Sequence, residues 1–322
     1  MELRPGEERP LSLESVGLVA IDLDGTLLRC DGSICLHAAE AIAEAVERGV
    51  KIVIATGRSP RSLLRIYQGL GLDTPIICHN GALILDPPAR RVLYHETLAA
   101  DTARRVMQIG RRVYPDIAIG LEVFDRCHTR NSLKATGPAP QINIAAALEA
   151  EVETPHGVTS SRGASGASLN GSALAMEALS EPEDDALAIF EPVLATPGGI
   201  TKVMFTGEPD VLGGIQTSLE SALGGEVSFA CSHMHLLQVV HHAAHKAAAI
   251  EQVARRYGVA RSGVMAIGDA PNDLSMIRWA GLGIATGNAW PEVQAAAHCV
   301  VLSNEDAGVA YAIRKYVLQQ QQ

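Results

Sequence analysis

Five short apolar runs constrain the fold of this 322-residue chain more than any other feature: Gly17–Ile21, Lys51–Ala55, Gly263–Ile267, Leu282–Ala285 and Cys299–Leu302. A strand apolar at consecutive positions has both faces buried, which is the habit of parallel sheets covered by helices on both sides. The segments between them agree, since Leu36–Arg48 and Ala247–Tyr257 are apolar at i, i+3 and i+4. Each is followed by a glycine, Gly49 or Gly258, placed to end a helix in the left-handed conformation. The pattern predicts an α/β fold with a doubly wound, Rossmann-type parallel sheet.

The middle of the chain reads differently. Asp116–Phe124, Ile200–Phe205 and His235–Val240 suit strands, and Thr102–Val113 suits a helix. We read residues 88–240 as an α+β cap domain inserted between core segments 1–87 and 241–322. Residues 133–185 are rich in Ala, Gly, Ser and Pro with little periodicity and read as partly flexible loop, and Thr206–Asp210 reads as a plain cap loop.

Composition narrows the function. With 47% hydrophobic residues the chain can bury a core, so global disorder is excluded. A formal charge of -10 argues against nucleic acid as partner, because phosphate-backbone binding needs a basic surface. No apolar run approaches the ~18 residues of a membrane span. The first ten residues carry charges where a secretory leader is apolar, so a cytoplasmic protein is expected, with no membrane partner. Six cysteines without a C-x-x-C pair read as reduced thiols.

In an open parallel sheet, residues that end different strands converge at one rim, where ligands bind. That rule gathers Asp22 and Asp24 after the first strand, Thr56 and Gly57 after the second, and Gly268–Asp273 after the third. Four carboxylates at one rim repel each other unless a cation sits among them, and oxygen ligands without histidine suit Mg2+. Mg2+ held by few carboxylates points to phosphoryl chemistry, with Asp22 as nucleophile and Asp24 as acid and base. Turn and helix-cap roles are the plainer readings of the same residues, since Asp-Gly is a common turn and Thr or Asn a common cap.

In order, Asp22-Leu-Asp-Gly-Thr26, Thr56-Gly-Arg58, Lys246 and Gly268-Asp-Ala-Pro-Asn-Asp273 resemble the four motifs of the haloacid dehalogenase superfamily. Asn80-Gly-Ala82, Gly287-Asn-Ala289 and Ser303–Val309 extend the resemblance to its Cof-type subfamily IIB. The resemblance implies a core with a C2-type inserted cap and hydrolysis of small phosphate esters, most of all sugar phosphates, through an aspartyl-phosphate. It implies Asp22 as nucleophile, Asp24 as general acid and base, and Mg2+ held by Asp22, the Asp24 carbonyl, Asp269 and, as an alternate ligand, Asp273. It further implies phosphate contacts from the Leu23 amide, Thr56, Gly57, Asn272 and Lys246. Around Lys246 the pattern departs from the family, with Gln238 where a Glu is usual, His241–His245 in place of Pro-x-Gly-Val-Ser, and Ala247 in place of Gly. A phosphomutase and a non-hydrolytic phosphoacceptor are the rival readings. The histidines between His233 and His245 invite zinc, against which stands a strand with a polar hinge.

Overall fold

The structure is a computed structural model that describes residues 15–130 and 187–319. The stretch expected to be partly flexible, residues 133–185, lies outside the described residues.

The five apolar runs form one sheet. Strands β1 (Leu18–Ile21), β2 (Lys51–Ile54), β11 (Val264–Gly268), β12 (Leu282–Ala285) and β13 (Cys299–Val300) lie in the order β13-β12-β11-β1-β2, all parallel. Helix α1 (Leu36–Glu47) packs with the C-terminal α9 (Gly308–Ile313) on one face of this sheet. Helices α6 (Lys246–Arg256) and α7 (Leu274–Trp279) cover the other. Burial on both faces is why the strands read as uninterrupted apolar runs, and Gly49 and Gly258 have the positive φ expected of helix-ending glycines.

Helix α2 (Pro60–Gly69) follows β2 and leads into a second, three-stranded sheet of β3 (Ile76–Cys78), β4 (Leu83–Asp86) and β5 (Arg91–His95), which the sequence reading did not anticipate. Beyond α3 (Ala100–Val113), a five-stranded antiparallel sheet forms in the order β7-β6-β8-β10-β9. Its strands are β6 (Ala118–Val123), β7 (Arg126–Thr129), β8 (Lys202–Thr206), β9 (Val227–His233) and β10 (Leu236–His241). The short α4 (Glu191–Leu194) precedes β8, and α5 (Pro209–Leu223) and α8 (Pro291–Ala296) complete the helices named here.

Two details differ from the sequence reading. The segment read as a loop, Thr206–Asp210, already enters a helix, because Pro209 opens α5 at a position where a missing N–H costs nothing. Strands β7 and β9 were not foreseen at all. In the antiparallel sheet, Leu121, Val203, Phe205, Leu237 and Val239 alternate into a cluster with Val106 of α3 and Ile215 and Leu219 of α5. The intervening residues, Gly120, Glu122, Lys202, Met204 and Gln238, lie on the opposite face, by strand alternation. Lys202 and Gln238 from that face meet Asp22 and Asp24 around one cavity, so the inserted sheet covers the strand-end rim of the core.

Candidate active site

Strand β1 lies between β11 and β2, with Ile21 level with Ile267 and Ile54. The residues just past these three strands therefore meet. Asp22 donates its backbone N–H to the Ile267 carbonyl (3.0 Å), which extends the sheet by one residue and carries its carboxylate over the rim. The Leu23 carbonyl accepts from the N–H groups of Leu27 and Leu28, closing a tight turn that keeps Leu23 buried and turns Asp24 outward.

Three carboxylates converge there. Asp22, Asp269 and Asp273 are buried, and each offers an oxygen within 4.8 Å of the others. Lys246, fully buried at the first position of α6, donates to Asp22 Oδ1 (2.5 Å) and Asp273 Oδ1 (2.7 Å). Asp273 Oδ2 accepts from the N–H groups of Asp269 (3.0 Å) and Ala270 (3.1 Å), which fixes the loop after β11. Thr26 donates its hydroxyl to Asp269 Oδ1 (2.7 Å). Gly25, with φ +82, lies so close beneath the Asp269 carboxylate that a Cβ would collide with it.

One lysine among three buried carboxylates leaves the cluster net negative, and the protonation equilibria record it. Burial raises the Asp22 carboxyl well above the ordinary aspartate value; Asp273 adds to that and Lys246 opposes it. Burial and then Asp273 push Asp269 up to about 6. For Lys246, burial works to lower the ammonium's pKa, but the charges of Asp22 and Asp273 outweigh it and raise it. A divalent cation fits this donor set: oxygen-only, buried, short of positive charge.

The Asp24 side chain stands apart from the triad. Its two oxygens are gripped by Arg58, Nε at 2.8 Å and Nη2 at 2.5 Å. Arg58 and Asp24 line a cavity of about 200 Å³ together with Asp22, Gly57, Ala270 and Asn272 from the core and Lys202, Leu236 and Gln238 from the inserted sheet. Thr56 is buried beside it; its hydroxyl accepts from the Arg58 N–H (3.1 Å) and its N–H donates to the Ile77 carbonyl. Asn272 donates to Asn80 Oδ1 (3.0 Å), and Asn80 stands directly over Gly57, where a Cβ would come within 3.1 Å of the same oxygen.

Every residue expected at the site is thus brought to one rim. Two partners carried no assigned role in the sequence reading: Arg58, although it completes Thr56-Gly-Arg58, and Asn80, whose left-handed backbone (φ 57) is the kind asparagine tolerates. A third group, Lys202 with Glu122, had no sequence signal. The histidines do not gather as a zinc site among the described residues. His245 accepts from the Ala248 N–H to cap α6, and His241 faces Glu96 at 3.2 Å. No helix among the described residues is long and apolar enough to cross a membrane.

The profile of the haloacid dehalogenase-like hydrolases matches residues 19–133 and 180–313. The putative phosphatase YxeH of Bacillus subtilis is 30% identical over 94% of this chain and 98% of its own. The 5-amino-6-(5-phospho-D-ribitylamino)uracil phosphatase YitU of the same organism is 25% identical over 93% of this chain and 97% of its own. Among solved structures, the subclass IIB sugar phosphatase BT4131 superposes with a TM-score of 0.64 at 18% identity, covering 92% of this chain and 97% of that one.

Proposed function

Because the chain belongs to the haloacid dehalogenase-like hydrolases, subclass IIB, and is a phosphatase of that family, we propose that it hydrolyses monophosphate esters of small metabolites, sugar phosphates first, through an aspartyl-phosphate on Asp22. The observation that carries the reading is the buried Lys246 that binds one oxygen of Asp22 while Asp24 waits across the same cavity.

Lys246 occupies Asp22 Oδ1 and so orients Oδ2 as the attacking atom. Asp22 forms a bond to phosphorus as the bond from phosphorus to the ester oxygen breaks, and Asp24 delivers its proton to that oxygen. Asp24 then takes a proton from water as the water oxygen bonds to phosphorus and the bond to Asp22 breaks, releasing phosphate. The Leu23 and Gly57 amides, Thr56 and Asn272 hold the phosphoryl oxygens. Asp22, the Asp24 carbonyl and Asp269, with Asp273 behind them, would hold Mg2+, which would offset the charge that phosphate adds to the carboxylates. Substrates differ among relatives, a ribitylaminouracil phosphate for YitU and a sugar phosphate for BT4131, so the choice is expected to rest on the inserted sheet.

The test is phosphate release from a panel of sugar phosphates and an aryl phosphate, with Mg2+ or EDTA, by wild type and Asp22→Asn. Turnover that needs metal and falls about 10^4-fold or more in Asp22→Asn is the expected result. Phosphoryl transfer to a second sugar hydroxyl in place of water would assign a mutase. A stable phosphoryl-Asp22 without turnover would assign a phosphoacceptor.

A further inference from the structure

Between β3 and β4 the backbone turns through three successive residues of positive φ, His79 (51), Asn80 (57) and Gly81 (100). Non-glycine residues seldom adopt this conformation, and two in a row persist only where the surroundings enforce them. Those surroundings are segments of the active site. The His79 N–H donates to the Arg58 carbonyl (3.1 Å), and the Asn80 N–H donates to the Thr56 carbonyl (2.9 Å). At Gly81 a Cβ would lie 2.5 Å from the carbonyl oxygen of His245, one residue before Lys246. The bend is thus wedged between the segment that carries Thr56 and Gly57 and the one that carries Lys246.

The Asn80 side chain reaches a third segment. It is 3% exposed, and its Oδ1 accepts from Asn272 Nδ2 (3.0 Å). Asn272 lines the cavity that holds Asp22 and Asp24, whereas Asn80 does not. Among the described residues, Asn80 Nδ2 and Asn272 Oδ1 are buried and find no hydrogen-bond partner. Buried polar atoms left unpaired are costly, so a contact serving stability alone would be expected to satisfy both amides more fully. The single bond does settle which end of the Asn272 amide is held. The oxygens of an ionised phosphate ester only accept hydrogen bonds, so Asn272 assists them through Nδ2 and repels them through Oδ1. One N–H of Nδ2 is committed to Asn80, which leaves the other to donate.

We infer that Asn80 is a positioning residue for phosphate: it holds the Asn272 amide so that Nδ2 can serve the phosphoryl group, and keeps the carbonyl oxygen from rotating toward the anion. This rests on the phosphatase reading above. The position asks for a left-handed backbone and a neutral acceptor together. Glycine supplies only the first, and aspartate would add a charge beside the phosphate.

The experiment is a double-mutant cycle in kcat/KM for p-nitrophenyl phosphate and glycerol 3-phosphate with Mg2+. In wild type, Asn272→Ala is expected to cost about 30-fold. Asn80→Gly, which keeps the left-handed backbone and removes the acceptor, is expected to cost about 10-fold by itself. In that background Asn272→Ala should cost less than about threefold more, because the amide it removes is no longer held in place. Should Asn80→Gly fold poorly, the side-chain amide protons of Asn272 in wild type serve, identified by their loss from the NMR spectrum of Asn272→Ala. Inorganic phosphate with Mg2+, at a concentration that inhibits turnover, should shift one of the two protons and leave the one bound to Asn80 nearly unmoved. An equal cost of Asn272→Ala in both backgrounds makes Asn80 merely structural and overturns the inference alone, as does an equal shift, or none, of the two protons. A cost below about threefold for Asn272→Ala in wild type detaches Asn272 from phosphate and overturns the inference while the phosphatase reading stands. No turnover of either ester by metal-loaded wild type overturns both.

Discussion

The core sheet and the inserted sheet put polar groups to use in different places. The parallel core strands are buried on both faces, so a charge can leave the sheet only where a strand ends, and Asp22, Thr56 and Asp269 stand there. The antiparallel sheet packs helices on one face only, so its polar residues emerge along the strand, as Glu122, Lys202 and Gln238 do. The chain carries five lysines, and two of them, Lys246 at a strand-end rim and Lys202 on a strand face, are buried. The division of labour expected from this is that rim residues act on the phosphoryl group common to every substrate, whereas face residues act on what varies.

The division breaks hardest at Lys246. Lys246→Met leaves Asp22 and Asp273 buried without their cation, a loss of about 3–5 kcal/mol, to be read as a lower denaturant midpoint in EDTA. Activity should fall about 10^2- to 10^3-fold by the same factor on every phosphate ester, since the group it serves is common to all. A loss that differs between esters by more than about fivefold would mean that the rim also reads the leaving group, and the comparison would fail. Added Mg2+ should restore part of the stability, because a cation bound only by the folded state shifts the equilibrium toward it.

That contrast also explains what could be read from the sequence. The core was legible because double-sided burial writes itself as unbroken apolar runs, and because the strand-end rule gathers Asp22, Thr56 and Asp269 without any knowledge of packing. Less of the inserted sheet was legible. In the neighbouring three-stranded sheet, strand β5 is a short run that is half-buried from its second residue on, so no alternation marks it. Helix α5 carries Gly213-Gly214 in its first half, which dilutes its propensity, although Pro209 and Asp210 at its start were available as a signal. Glu122, Lys202 and Gln238 are separated by 80 and 36 positions and meet only through strand register, which periodicity does not reveal. Arg58 was visible as part of a motif, but its two bonds to Asp24 depend on how two loops close over the rim.

A second, smaller test addresses the junction of the two sheets. His79 is fully buried and bonds through Nε2 to the Phe124 carbonyl (2.7 Å), at the tip of the β6–β7 hairpin. Burial, and then the charge of Lys202, hold its imidazole well below the ordinary histidine value. The unfolded chain therefore takes up a proton near pH 6.5 that the folded chain refuses, so this contribution is present above that pH and is lost as pH falls below it. The denaturant midpoint should drop between pH 7.5 and 5.5, and by less in His79→Gln. An equal drop in both proteins would remove His79 as the sensitive point of the junction.

The smallest effect is expected at Asp125, next to Phe124 on the same hairpin tip. Its carboxylate accepts from the N–H of Arg61 (3.0 Å) in the first turn of core helix α2, so a side chain of the inserted region caps a helix of the core. Asp125→Ala should cost about 1 kcal/mol, the usual worth of such a cap, read from the unfolding midpoint. Because Asp125 touches the helix and not the cavity, its effect on kcat/KM should be within about fivefold and equal for glycerol 3-phosphate and p-nitrophenyl phosphate. That equality is what separates docking from recognition. Gln238, from the same sheet, should change the ratio between these esters while Asp125 changes only their common level, and a ratio that moved with Asp125→Ala would show that closing the sheet over the rim is itself part of how the substrate is chosen.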